Sequence, residues 1–132
     1  MKLYLAHPVD SKVFVRIWEL TFEERSGIEL VNPFFDIPKP YDPNASRYVL
    51  QKVDPKVCVE TDLAEIKVSD GLVAIIDGNL SYGVPQEMVY AYLVDKPVYS
   101  LITNGEENHP WLRYHSSNIF VSYKELEDFL IK

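Results

Sequence analysis

The stretch DGLVAIIDGNLSYGVPQEMVYAYLVDKP, residues 70–97, decides how the rest of the chain is read. Leu72 to Ile76 is a short, continuous apolar run, the pattern of a strand covered on both faces. Asp77-Gly78-Asn79 breaks it. Pro85 suits the first turn of a helix, where a missing N–H costs nothing. Val84, Met88, Ala91 and then Val94 or Asp95 recur at helical spacing, with a second apolar line through Val89, Tyr92 and Leu93. Glu87 is expected in the first turn of that helix, where the dipole favours an ionised carboxylate. In an open α/β sheet, ligands bind where a strand ends and the next helix begins. Glu87 is therefore a candidate nucleophile. Glutamate is also common at such positions for the dipole alone, so the remainder of the chain has to separate the two readings.

At 132 residues, 47% of them hydrophobic, the chain is long enough to bury a core and is read as one domain spanning residues 1–132. A net charge of −7 argues against a broad surface for a nucleic-acid polymer or an anionic membrane. A small phosphorylated substrate stays open, because one local pocket can override the global sign. Cys58 is the only cysteine, so no intrachain disulfide can form, which fits a reducing cytoplasm. No apolar segment approaches the roughly 18–20 residues needed to span a bilayer, and the first residues read as a strand rather than a signal peptide. A soluble, cytoplasmic protein is expected.

Outward from the central stretch, Leu3-Tyr4-Leu5-Ala6 reads as a first strand closed by His7-Pro8. Asp10 or Ser11 can cap a helix running to about Arg25, with Val13, Ile17 and Leu20 inward and the stripe widened by Phe14, Trp18 and Phe22. Ser26-Gly27 stops it, and Ile28 to Val31 is the second strand. Residues 32–47 carry four prolines and three aromatics without a period. Such a loop is either a lid or a surface excursion pinned by Phe34 and Phe35. Asp54-Pro55 opens a helix with Val59, Leu63 and Ile66 on one face and Asp62 at its edge. Asp62 is a functional candidate there, though many such carboxylates are only solvated rims. Pro97 to Ile102 and Ile119 to Val121 are further strands, residues 111–117 are irregular or briefly helical, and Tyr123 to Ile131 is a terminal helix with Leu126, Phe129 and Leu130 inward. Strands alternating with helices predict a five-stranded parallel sheet in a three-layer α/β sandwich, flavodoxin-like or Rossmann-like, in the order 2-1-3-4-5.

Several common sites are missing from the sequence. It has neither the dinucleotide glycine fingerprint nor a P-loop. His7, His109, His115 and Cys58 lack zinc-ligand spacing. No nucleophile elbow is present.

Three segments carry a resemblance. Tyr4-Leu5-Ala6-His7-Pro8 resembles the Y-L-A-G-P opening of the nucleoside 2-deoxyribosyltransferase family. Asp62-Leu63-Ala64-Glu65-Ile66 followed by Ser69-Asp70 resembles its D-x-x-x-I-x-x-x-D segment. Gly83-x-x-x-Glu87-Met88-x-Tyr90-Ala91, with Lys96-Pro97-Val98 behind it, is similar to its G-x-x-x-E-x-G-Y-A and G-K-P-V. The match runs in order from Tyr4 to about Val98.

The resemblance implies that Glu87 attacks C1′ of a 2′-deoxynucleoside to form a glycosyl-enzyme, that Tyr4 orients the carboxylate, and that Asp62 contacts the base. Two displacements would return the sugar with its anomeric configuration retained. It also implies substrate-binding roles for His7, Phe34, Ser81, Gly83 and Ser117. The partners would be a nucleoside or nucleotide and a free nucleobase, with no metal or organic cofactor. A homo-oligomer is implied as well, residues 113–118 completing a neighbour's pocket; an ordinary polar loop is the equal alternative for that segment.

Departures from the family pattern keep the reaction open. Ser81 stands where deoxyribosyltransferases usually place an aspartate. A serine there resembles the related 2′-deoxynucleoside 5′-monophosphate N-hydrolases, in which it contacts phosphate. Those enzymes carry Ser and Arg after the first strand, where this chain has Pro8-Val9-Asp10, and Asp10 would repel a phosphate. His7 and Val89 replace glycines of the pattern. Deoxyribosyl transfer is the leading expectation and hydrolysis of a deoxynucleoside or its monophosphate the second. A non-catalytic nucleotide-binding domain is the alternative from another class.

Overall fold

Five short strands alternate with helices in the computed structural model, which describes residues 1–37 and 53–132. The strands are β1 (Lys2–Ala6), β2 (Glu29–Val31), β3 (Gly71–Ile76), β4 (Val98–Ile102) and β5 (Asn118–Phe120). All are parallel, in the order β2-β1-β3-β4-β5, as expected from the sequence. Among the described residues the helices are α1 (Lys12–Ser26), α2 (Pro55–Val68), α3 (Gly83–Leu93), α4 (Pro110–His115) and α5 (Tyr123–Ile131), with a 3-10 turn at Val9–Ser11. Pro38 to Lys52 lie outside the described residues, and with them most of the proline-rich loop expected over 32–47.

The strands read as continuous apolar runs because both sheet faces are covered. Leu3, Leu5, Val73, Ile75 and Leu101 face α1 and α5. Tyr4, Ala6, Leu72, Ala74 and Val98 face α2 and α3. Each fully buried large aliphatic contributes roughly 1.5–3 kcal/mol. At Gly71, β3 lies tight against β1 and the residue before β4. A Cβ there would sit 3.1 Å from the Leu3 side chain, the Pro97 ring and the Pro97 carbonyl.

α1 is rotated from the expected orientation. Val13, Ile17 and Leu20 are 67%, 64% and 49% exposed, while Val15, Glu19 and Phe22 are buried. The buried stripe has the expected i, i+4, i+7 spacing, but its middle member is a carboxylate. Asn32 Nδ2 donates to Glu19 Oε1 at 2.6 Å and Arg16 adds a bond at 3.2 Å, which makes the burial tolerable. Gly27, at φ 74°, closes the helix in the left-handed conformation.

The other helices keep their expected places with smaller corrections. α2 is capped by the Asp54 side chain, but only Ile66 is fully buried and Val59 is exposed, because the helix meets the core through its last turns. α3 buries Val84, Met88 and Ala91 as expected. The second line is not buried: Tyr92 and Leu93 are exposed, and Tyr92 turns outward onto Tyr114 and His115. In α5, Leu126 and Leu130 are buried, while Phe129 stays partly open and packs on Tyr99 and Phe120. Among the described residues no helix is long and apolar enough to cross a membrane.

Candidate active site

β1 ends at Ala6, opposite Ala74 of β3, on the face shared with α2 and α3. Two alanines in register leave the floor of that face shallow beside Tyr4. Tyr4 is fully buried, and its hydroxyl donates to Glu87 Oε2 across the sheet–helix contact. The other carboxylate oxygen, Oε1, lies next to Gly83: a Cβ on Gly83 would sit 3.5 Å from it, an ordinary contact that the glycine leaves vacant. Tyr4, Gly83 and Glu87 are thus brought together.

Glu87 lies in the second turn of α3 rather than the first. The helix begins at Gly83, with Tyr82 in the cap position and making no side-chain cap bond. Dipole effects fall off within the first turn, so the dipole does less for this carboxylate than expected, and the tyrosine hydrogen bond does more. Asp62 is partly buried on α2, which packs against α3.

Ser81 precedes α3, and its Oγ accepts from Val84 N–H at 3.2 Å. Ser11 stands at the cap position of α1 but makes no cap bond there. Its hydroxyl instead donates to Asp77 Oδ2 at 2.6 Å and accepts from Asn79 Nδ2 at 3.0 Å. This ties the start of α1 to the loop after β3. Ser11, Asp77 and Asn79 were not site candidates in the sequence; the only signal was the D-G-N break, which reads simply as a turn.

His7 and Phe34 meet on the α1 side of the sheet. His7 is buried, its ring 5.0 Å from that of Phe34. Nδ1 lies 2.8 Å from the Pro8 carbonyl and Nε2 3.0 Å from Asn32 Oδ1, so both ring nitrogens are engaged by the chain itself. Burial lowers the pKa of His7; the two hydrogen bonds and the Asp77 charge oppose that shift. Asn32 is the hub, since its Oδ1 also accepts from Phe34 N–H at 3.0 Å while its Nδ2 holds Glu19. Burial pushes the Glu19 carboxyl up to about 7, and Glu19 Oε2 has no hydrogen-bond partner.

Ser117 lies at the opposite edge of the sheet. Its Oγ accepts from Val98 N–H at 3.0 Å, at the start of β4. Ser116 bonds Ser100 and the Leu112 carbonyl. Both hydroxyls are therefore used within this chain.

Beyond the first turn of α3, over the ends of β3 and β4, lies a cavity of about 370 Å³. Its wall is largely apolar, with Ile75, Ile76 and Trp111 among it, and Asn79, Ser81, Asn104, Glu106 and His109 add polar groups. Asn104, Glu106 and His109 were not sequence candidates, because they come from the loop after β4 and carry no periodic or motif signal. Among the described residues no group of three His, Cys, Asp or Glu side chains could hold a metal ion.

The sheet is all parallel with helices on both faces, and Tyr4 and Glu87 meet on the α2–α3 face. In fold the chain is similar to the 2-deoxyribosyltransferase from Bacillus psychrosaccharolyticus, with a TM-score of 0.73 at 22% identity over 97% of this chain and 91% of that one. It is also similar to a conserved protein from Enterococcus faecalis V583, with a TM-score of 0.72 at 20% identity over 97% and 95%. The CMP N-glycosidase from Clostridium botulinum gives 0.63 at 23% identity over 98% and 97%. No family model and no curated protein matches the chain.

Proposed function

We propose that this chain cleaves the N-glycosidic bond of a 2′-deoxynucleoside and transfers the deoxyribosyl group to another nucleobase. The observation that carries the reading is the hydrogen bond from buried Tyr4 to Glu87 Oε2, beside Gly83, where a Cβ would sit 3.5 Å from Oε1.

In the first step Glu87 attacks C1′. The C1′–N bond breaks, its electron pair leaves with the base, and the base takes up a proton. A glycosyl ester on Glu87 results. In the second step a ring nitrogen of an incoming base attacks C1′, expels the carboxylate and loses its proton. The two displacements together retain configuration. Tyr4 fixes the angle of the carboxylate, and Asp62 serves the base from α2. With no 2′-hydroxyl to withdraw electrons, positive charge at C1′ develops more readily. A homo-oligomer belongs to the same reading, supported by the exposed Val13, Phe14 and Ile17 on α1 and by exposed Trp111 and Tyr114.

The test is chromatography of the products when purified protein meets deoxyinosine or deoxycytidine together with adenine. Deoxyadenosine that disappears in Glu87→Ala supports transfer. Free base without exchanged nucleoside, lost in the same variant, makes the protein a hydrolase using the same carboxylate. If every substrate stays intact, the catalytic reading falls and a nucleotide-binding domain replaces it.

A further inference from the structure

We infer that Glu23, Ser26 and Asp36 close the β2 edge of the sheet, so that a strand of a second copy of this chain cannot add to it. β2 is an outer strand, with β1 on one side only. Glu29 N–H donates to the Met1 carbonyl at 3.1 Å, and the register sets Lys2 against Glu29, Leu3 against Leu30 and Tyr4 against Val31. Along a strand, successive residues direct their backbone groups alternately to one side and the other. Glu29 and Val31 therefore serve β1, while Ile28, Leu30 and Asn32 present their N–H groups at the open side.

A row of N–H groups at a sheet edge is a template for another strand. Here each of the three is spent on a side chain. Ile28 N–H donates to Ser26 Oγ at 3.1 Å, Leu30 N–H to Glu23 Oε2 at 2.8 Å and Asn32 N–H to Asp36 Oδ2 at 2.8 Å. The Asn32 carbonyl is used as well, accepting from Phe35 N–H at 3.1 Å and Asp36 N–H at 2.8 Å. The caps reach the strand from both ends, Glu23 and Ser26 from the last turn of α1 and Asp36 from the turn after β2. They are held in turn. Ser26 Oγ donates to the Phe22 carbonyl at 2.7 Å, and Arg16 donates to Asp36 Oδ1 at 3.3 Å with its guanidinium 4.7 Å from the centre of the Phe35 ring.

Bulk does not close this edge. Among the described residues a groove of about 370 Å³ borders it, lined by Glu23, Leu30, Val31 and Asp36 with Arg16 and Glu65. An arriving strand has room there and lacks free donors. To pair, its carbonyls would have to displace carboxylates from Leu30 and Asn32, and charge-assisted bonds are roughly twice as strong as neutral ones. The displaced carboxylates would then face those carbonyls, like against like.

The experiment joins amide hydrogen exchange to sedimentation velocity on the full chain. In the wild type, Leu30 and Asn32 N–H should exchange within about tenfold of Val31 N–H, which faces β1. Glu23→Ala should speed exchange at Leu30, and Asp36→Ala at Asn32, each by about tenfold. The double alanine variant should sediment as species larger than the wild type, increasingly so as concentration rises. Glu23→Gln with Asp36→Asn removes both charges but keeps an acceptor oxygen at each cap, so it should sediment like the wild type. Leu30 and Asn32 amides that exchange freely in the wild type overturn the inference. So does a folded double alanine variant that keeps the wild-type size at every concentration, or a Gln/Asn pair that associates as readily as the alanines, since charge alone would then do the guarding. If the double alanine variant does not fold, the wild-type and single-variant exchange rates decide by the same criteria.

Discussion

The hydroxyl of Tyr4 on the first strand donates to the carboxylate of Glu87, 83 residues later in the chain. The bond joins the sheet to α3 at a point where the tyrosine is fully buried and the glutamate only partly so. Tyr4→Phe keeps the ring in the core and removes only this donor. The expected result is a fall in kcat of about tenfold to a hundredfold with a stability loss of about 1–3 kcal/mol. Product chromatography and thermal unfolding measure the two. A variant that melts lower yet turns over normally would make the bond structural.

Gly83 gives the complementary case. Its Cβ position is 3.5 Å from Glu87 Oε1, so alanine fits without a clash. Gly83→Ala should be neutral or stabilising by up to about 1 kcal/mol, since alanine favours helix. It should nonetheless lower kcat/KM, by roughly tenfold, because the methyl occupies the approach to the carboxylate. Activity and melting temperature moving in opposite directions is the signature to look for.

Asn32 is fully buried and bonded to His7, Phe34 N–H and Glu19. Asn32→Ala removes all three partners at once and leaves polar groups unpaired in the interior. Urea unfolding should record a loss of about 2–4 kcal/mol. A loss under about 0.5 kcal/mol would mean that the neighbouring groups find other partners.

Glu19 predicts a pH dependence with a definite sign. Burial, opposed by Asn32 and Arg16, raises its carboxyl from the ordinary 4.5 to about 7, so the folded chain holds this proton more tightly than the unfolded one. The associated stability is fully present below about pH 4.5 and is lost as pH rises through about 7. Glu19→Gln has no proton to lose. The stability of the wild type relative to this variant should therefore decline by on the order of 2–3 kcal/mol between pH 4.5 and 8. His7, with its pKa lowered by burial, acts in the other direction: its contribution is present above about 6.5 and lost as pH falls through its folded value. Both proteins contain His7, so the difference isolates Glu19. A pH-independent difference would refute the assignment.

The strand pattern made the sheet legible, because each apolar run is short, bounded by glycine, proline or a turn, and separated from the next by a helical period. α1 was misjudged in rotation because a hydropathy pattern cannot place a glutamate in the interior. Only the partner, Asn32, reached through the turn after β2, explains why Glu19 is there. The start of α3 was placed too late because Pro85 marks a first turn without saying which of its positions it occupies. Tyr4 and Glu87 were legible as a pair only through resemblance, and the structure places them in contact. Asn104, Glu106 and His109 were not legible. They converge on Ser81 only because β3 and β4 are neighbours in the sheet, a relationship that local sequence does not contain.

The alternation of residues along β1 divides labour between the two sides of the sheet. Tyr4 points to the face that carries Glu87, while Leu5 and then His7 belong to the side held by Asn32 and Glu19. The network that sets the acid–base dependence of folding is thus partitioned from the carboxylate proposed to do the chemistry by a single layer of backbone. Substitutions can accumulate on one side with little consequence for the other. On this strand Tyr4 weighs on both stability and turnover, whereas the Asn32–Glu19 network weighs on stability alone.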